Sequence, residues 1–422
     1  MGRAAAFIWG SRSELGMAGS EPPGTPPSGT PTPTPPSPVV RRKRGPGVWV
    51  VVVVVLIAAV LVGVGYGTHW YGLQKSSTST VACSTGVTLQ GAGASFLNAI
   101  MSVWKSNYST DTGNAIDYTA SGAGAGITSL ADKQVDFAAT DEPLNATDVA
   151  AMPGTILTLP VTGGPVTIVY NLPGYDHVLN LTPVQLAGIY LGSIANWNSS
   201  SLATNNPGLP NDPIVSVHRS DQAGTTYVLT NLLSIYNTTW NRTIGTTVLP
   251  TPWPATPHEL AEKGNSALAK TVAGTSYSIG YVDLPDAIND KLPTAGVLNH
   301  AGHYVQPTLA ATNGAIENLS SQPIPPATGN WASVSWVNSP GTYDYPLATL
   351  SYFIVLEEPS LGYTASLANA EVLVQWLHWV LTTGQGESNA VDYVNPPSNI
   401  VTQDLNALGE MTYQGSTIPT CR

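Results

Sequence analysis

Gly91-Ala92-Gly93-Ala94-Ser95-Phe96 is followed by Ile100, Val103, Trp104 and Tyr108, which continue from Phe96 at spacings of three and four. A small-residue loop that feeds an amphipathic helix is a local signature of α/β structure. Two more loops repeat it: Gly122-Ala123-Gly124-Ala125-Gly126-Ile127 and Arg219-Ser220-Asp221-Gln222-Ala223-Gly224-Thr225. Short β-rich runs at residues 167–170 and 214–217 alternate with helical patterns such as residues 372–381, and no fixed-period repeat runs through the chain. Each loop offers backbone N–H groups at a helix N-terminus, where donors and dipole together favour an anion without any lysine. None is followed by Gly-Lys-Ser/Thr and none completes the dinucleotide pattern with its later acidic residue, which disfavours nucleotide binding.

The 422 residues are 42% hydrophobic, enough for two ordinary domains, but only 10% are charged, against roughly 25% in an average soluble domain. The net charge of −11 is unevenly spread. Residues 1–46 hold Arg3, Arg12, Arg41, Arg42, Lys43 and Arg44 against Glu14 and Glu21, whereas the only later arginines are Arg219, Arg242 and Arg422. Such an acidic outer region excludes a nucleic-acid footprint. Residues 48–66 carry no charge and as a helix would span about 28 Å, one hydrocarbon thickness. Trp49, Tyr66, Trp70 and Tyr71 stand at its ends and the basic cluster precedes it, so the sequence predicts a single-pass anchor with a cytoplasmic N-terminus and an extracellular remainder. The parts are a disordered Pro-rich tail (1–46), a transmembrane helix (47–67) and a stalk (68–85). A cleaved signal peptide is the alternative, disfavoured by the length of the apolar run and the lack of a small-x-small site after it.

Cys83 and Cys421 are the only cysteines. Outside the cell a bond between them would tie together the two ends of the outer domain; two unpaired thiols are the alternative. Asn-x-Ser/Thr sequons begin at Asn107, Asn145, Asn180, Asn198, Asn237, Asn241 and Asn318, a pattern that fits an exterior glycoprotein. Of the scattered histidines only His300 and His303 are close, without carboxylate company, and no Ser-His-Asp signature appears. The sequence therefore predicts no catalytic residue, no metal site and no cofactor.

The first two loops, read with Trp104, Tyr108, Gly113-Asn114, Tyr118, Val135-Asp136-Phe137 and Asp141-Glu142-Pro143-Leu144, resemble the N-terminal half of the phosphate-specific substrate-binding proteins of ABC transporters. Residues 170–174, Leu191-Gly192-Ser193-Ile194-Ala195-Asn196-Trp197, the Arg219 loop, Ile279-Gly280-Tyr281-Val282, Tyr345-Pro346-Leu347, Trp379 and Gly384-Gln385 continue in the family's order. The resemblance covers residues 87–410. It implies an α/β, two-lobe periplasmic-binding-protein-like fold of type II with a hinge, residues 86–160 plus 346–422 forming one lobe and 161–345 the other, closing on phosphate.

Carried over by motif position, Ser95 binds phosphate through backbone and hydroxyl, Phe96 through its N–H, Arg219 through charge-assisted bonds oriented by Asp221, and Gly224 and Thr225 as donors. Asp141 is the acceptor: hydrogen phosphate still carries a proton to donate, sulfate does not, so a carboxylate rejects sulfate by repulsion and an unmade bond. Ala123 and Ala223 stand where the family usually has serine. Each lost hydroxyl bond is worth roughly 0.5–1.5 kcal/mol, and Ser121, Ser220 or Thr226 is the neighbour able to compensate. In an acidic exterior Asp141 would need its pKa depressed by Arg219 to remain an acceptor. The resemblance implies a monomeric, membrane-anchored phosphate binder that delivers to an ABC permease. The alternatives are a sensor of another oxyanion without transport, or a surface phosphohydrolase.

Overall fold

The computed structural model describes residues 83–249, 253, 254 and 256–420. The expected tail, the anchor, most of the stalk and Cys421 lie outside them. Among the described residues no helix is long and apolar enough to cross a membrane.

Eight strands form the main sheet: β1 (Thr88–Gly93), β2 (Ala115–Thr119), β3 (Phe137–Thr140), β4 (Ile156–Asn171), β5 (Val215–Arg219), β6 (Glu259–Glu262), β7 (Ser278–Asp283) and β8 (Ala348–Leu356). Their spatial order is β2-β1-β3-β8-β4-β7-β5-β6. β1, β2 and β3 are mutually parallel, as are β5, β6 and β7, with helices between them; β8 and β4 run antiparallel to their neighbours. β4 is buried along its length up to Asn171 and joins the two halves. Its residues up to Pro165 pair with β8, and those from Val166 onward pair with β7. The chain thus passes between half-sheets at Pro165–Val166, and it returns beside the same point, where Val166 N donates to Leu347 O at 2.8 Å.

Opposite Ser351 and Tyr352 the β4–β8 register slips: Thr162 faces Ser351 while Pro160 faces Tyr352. Proline cannot donate to a ladder, and a bulge is where a buried strand tolerates it.

The helix Asn98–Thr112 buries Ile100, Met101, Trp104 and Tyr108 against Trp376 and Trp379 of the helix Leu367–Leu381, with Trp104 Nε1 donating to Gly384 O at 2.8 Å. Residues 309–337, placed with the second lobe by the sequence reading, send Ile316, Trp331 and Trp336 into the core of the first half-sheet, beside Leu350, Tyr352 and Ile354. Trp336 Nε1 donates to Tyr352 Oη at 2.6 Å, and the Trp331 ring meets Tyr352 edge-on at 5.7 Å. Burying such side chains is worth about 1.5–3 kcal/mol each, enough to set where this segment packs.

Candidate functional site

The residues singled out in the sequence stand at the C-terminal ends of the parallel strands. Ala94 to Phe96 follow β1, Gly122 and Ala123 follow β2, Asp141 follows β3, and Arg219 ends β5. This is where open α/β sheets bind ligands, because strand ends and helix N-termini converge there. Gly93 (φ 146°) and Gly122 (φ 101°) adopt backbone angles closed to other residues, and a Cβ on Gly93 would lie 2.1 Å from Ala139 O.

The helix starts at these turns lack side-chain caps. Ala94, Gly122 and Ala223 precede Ser95–Leu97, Ala123–Ala131 and Gly224–Tyr236 with no capping bond. Side-chain caps are present on the helices that follow Asn145, Thr182, Asn237, Asp283, Thr308 and Ser366, and are also missing on those that follow Leu97, Ser199, Gly264 and Pro397. The uncapped ends leave N–H donors and positive dipole ends pointing at one junction, the arrangement an anion satisfies.

The loops of the two half-sheets meet there. A Cβ on Gly122 would lie 2.7 Å from Asp221 Oδ2, one on Gly124 2.1 Å from Gln222 Oε1, and one on Gly224 2.5 Å from Asp141 Cβ. Ser95 Oγ accepts from Asn265 N at 3.3 Å, and Phe96 packs edge-on against Tyr393, whose hydroxyl donates to Phe96 O. Ser95, Phe96, Asp141, Arg219, Gly224 and Thr225 are all buried.

Arg219, 1% exposed, is the positive centre. Its Nε and Nη2 donate to the two oxygens of Asp221 at 2.7 and 2.6 Å, and its Nη1 donates to Thr225 Oγ1 at 3.1 Å and Asn265 Oδ1 at 2.5 Å. One edge of the guanidinium is therefore committed to Asp221 and Nη1 to Thr225 and Asn265, so the N–H left for a ligand is the second one of Nη2. Asp221 is its salt-bridge partner, and the two-point contact fixes the plane of the guanidinium.

Asp141 is 3% exposed, and its Oδ1 accepts from Ser351 Oγ at 2.6 Å. Burial drives its pKa up to about 7, although the Ser351 bond and the Arg219 charge pull it down. The expected depression by Arg219 is thus reversed, because desolvation of the carboxylate exceeds the attraction of an arginine already neutralised by Asp221. Of the three side chains offered in compensation for the alanines, Thr226 is tied to Tyr281 Oη at 2.8 Å and Ser220 is exposed. Ser121 Oγ is buried with no hydrogen-bond partner.

Sequence reasoning missed Asn265 and Ser351. Asn265 is fully buried and links four groups, its Nδ2 donating to Asp283 Oδ2 at 2.7 Å besides the bonds to Arg219, Thr225 and Ser95. Its signal was present: Lys263-Gly264-Asn265 is another strand-glycine-helix turn, with Gly264 (φ 83°) before the uncapped helix Asn265–Gly274. Ser351 had none, since it reaches Asp141 from a central strand at a bulge. Cys83 is not a free thiol; its expected partner lies outside the described residues.

The PBP superfamily domain matches residues 77–383. The phosphate-binding protein PstS of Xylella fastidiosa is 30% identical over 346 residues, covering 79% of this chain and 89% of that protein, and PstS of Pasteurella multocida is 33% identical over 331 residues, covering 76% and 90%. A solved periplasmic phosphate-binding protein, PfluDING with bound phosphate, superposes with a TM-score of 0.61 at 20% identity over 75% of this chain and 93% of that one, a likeness of fold.

Proposed function

This chain belongs to the PBP superfamily, among the PstS phosphate-binding proteins, and from that premise we propose that it captures inorganic phosphate outside the cell and delivers it to an ABC importer. One observation carries the reading: a buried carboxyl, Asp141, faces Gly224 at an uncapped helix start, with the Arg219 charge close enough to lower its pKa. Helix ends and guanidinium suit any oxyanion, but an acceptor in their midst suits one that still carries a proton.

In this reading Ser95, Phe96, Ala123, Gly224 and Thr225 donate from backbone or hydroxyl, Arg219 donates from the remaining N–H of Nη2, and Ser121 Oγ supplies the hydroxyl that Ala123 lacks; Ala223, expected as a further donor, gives its backbone N–H to Val248 O at 3.1 Å instead. The half-sheets are the two lobes, hinged where β4 changes partners at Pro165–Val166. Residues 47–67 anchor a monomeric, glycosylated outer domain whose ends are tied by Cys83 and Cys421. The chain has no catalytic role.

Calorimetric titration of the full-length chain with phosphate, arsenate and sulfate, beside Asp141→Asn, tests this. Micromolar or tighter phosphate binding, with sulfate excluded until Asp141 is neutralised, is expected. A second reading, another oxyanion without transport, is favoured by the methyl groups of Ala123 and Ala223; it gains if phosphate fails and another anion binds in the same titration. Release of phosphate from an ester by the chain would make it a hydrolase instead.

A further inference from the structure

Asn265 is held from two sides that belong to different half-sheets. Its side chain is bonded inside the second: Oδ1 accepts from Arg219 Nη1 at 2.5 Å and from Thr225 Oγ1 at 3.3 Å, and Nδ2 donates to Asp283 Oδ2 at 2.7 Å. The helix that it opens, Asn265–Gly274, is fixed there too, with Leu268, Ala269 and Val272 in one apolar cluster with Val217 of β5 and Val282 of β7. Its backbone N–H reaches the other way and donates at 3.3 Å to the hydroxyl of Ser95, which follows β1 of the first half-sheet.

The local backbone makes that bond available. Gly264, at φ 83° and ψ 157°, turns the chain into the helix without a side-chain cap, so the first N–H groups need acceptors from elsewhere. Gly264 N donates to Asp221 Oδ1 at 3.3 Å, within its own half-sheet, and Asn265 N to Ser95 across the junction. A serine hydroxyl has two lone pairs and one proton, so accepting from Asn265 leaves the proton to be given to an anion and restricts where it can point. The contacts of Gly122 with Asp221, Gly124 with Gln222 and Gly224 with Asp141 are close packing at glycines. The bond from Asn265 differs from them in ending on a group that itself faces the anion.

We propose that Asn265 is a positioning residue and the latch of closure: its side chain orients Arg219 and Thr225, and its N–H, which meets Ser95 when the half-sheets are closed, turns the Ser95 proton toward the anion. The role rests on the phosphate-binding reading of the site. One residue thereby sets donors of both half-sheets. Losing the latch frees the closed form to open over a bound anion, so it speeds release and leaves capture by the open form unchanged.

The test separates the N–H from the side chain. Asn265→Ala keeps the N–H and loses the amide; Asn265→Pro loses both. Proline is accepted at the first position of a helix, and the ψ of 157° at Gly264 suits a residue that precedes one. Both variants are made in the full-length chain with Ser95 present and again with Ser95→Ala, which has no Oγ to accept. Calorimetric titration with inorganic phosphate gives Kd, and stopped-flow mixing with a phosphate trap gives the release rate. With Ser95 present, Asn265→Pro is expected to bind at least threefold more weakly than Asn265→Ala, with the difference in release and none in association. In the Ser95→Ala background the two are expected to coincide. A proline effect of equal size in both backgrounds, or none in either, overturns the latch while leaving the ligand assignment standing, as does an effect confined to the association rate. Absence of phosphate binding by wild type overturns both.

Discussion

Gly224 and Asp141 touch across the junction of the half-sheets: a Cβ built on Gly224 would lie 2.5 Å from Asp141 Cβ and 2.9 Å from its Oδ2. One residue opens the helix that follows β5 and the other directly follows β3, so the contact exists only when the two loops are closed on each other.

Gly224→Ala places a methyl group inside that contact. Overpacking of this kind costs about 1–3 kcal/mol, which here separates the loops rather than unfolding either half. Phosphate affinity is expected to fall roughly 5- to 150-fold with little change in melting temperature. A loss of thermal stability as large as the loss of affinity would show that the residue serves the fold instead.

Asn265→Ala removes the shared partner of Arg219, Thr225, Ser95 and Asp283. Each buried polar group left without a partner costs about 1–3 kcal/mol, more where it is charged. Phosphate Kd is expected to rise at least tenfold, with the melting temperature also lowered. Unchanged melting would mean that the network rearranges around the gap.

Ser351→Ala leaves Asp141 Oδ1 without its 2.6 Å donor. That bond holds the Asp141 pKa down against burial, so its loss raises the proportion of protonated Asp141 at neutral pH. Discrimination of phosphate against sulfate is expected to weaken at pH 7 and to recover as pH rises; selectivity equal to wild type at every pH would refute the coupling.

Asp404 is fully buried, neither of its oxygens has a partner, and burial pushes its pKa up to about 8. A carboxyl raised in the folded state contributes stability that is complete below its unfolded pKa, near 4, and is lost as pH rises through the folded value. Asp141, raised to about 7, acts in the same direction in the ligand-free protein. Thermal melting is therefore expected to be highest near pH 4 and to fall by pH 8. Asp404→Leu, close in volume and without charge, is expected to stabilise the protein at pH 7 by on the order of 2–4 kcal/mol and to flatten the profile. A variant less stable than wild type at pH 7 would show that Asp404 has a partner worth keeping.

Spacing of small residues before periodic apolar ones was enough to locate the strand-to-helix turns, since glycine at positive φ and an amphipathic helix leave local traces in any sequence. Ser95, Asp141, Arg219 and Gly224 were nameable before any fold was known because those loops and the Asp141 segment resemble the family's motifs, not from spacing alone. What remained illegible depends on residues far apart in the chain. The bulge opposite Pro160 that brings Ser351 to Asp141, the packing of Trp331 and Trp336 on the first half-sheet, and the bonds of Asn265 to Arg219 and Ser95 each join segments whose patterns carry no mark of one another. The sign of the Asp141 shift belongs with them. The resemblance assigned Asp141 and Arg219, from separate motifs, to one ligand, and only tertiary burial decided that desolvation outweighs their attraction, because the cost of removing a charge from water depends on everything packed around it rather than on its neighbours in the chain.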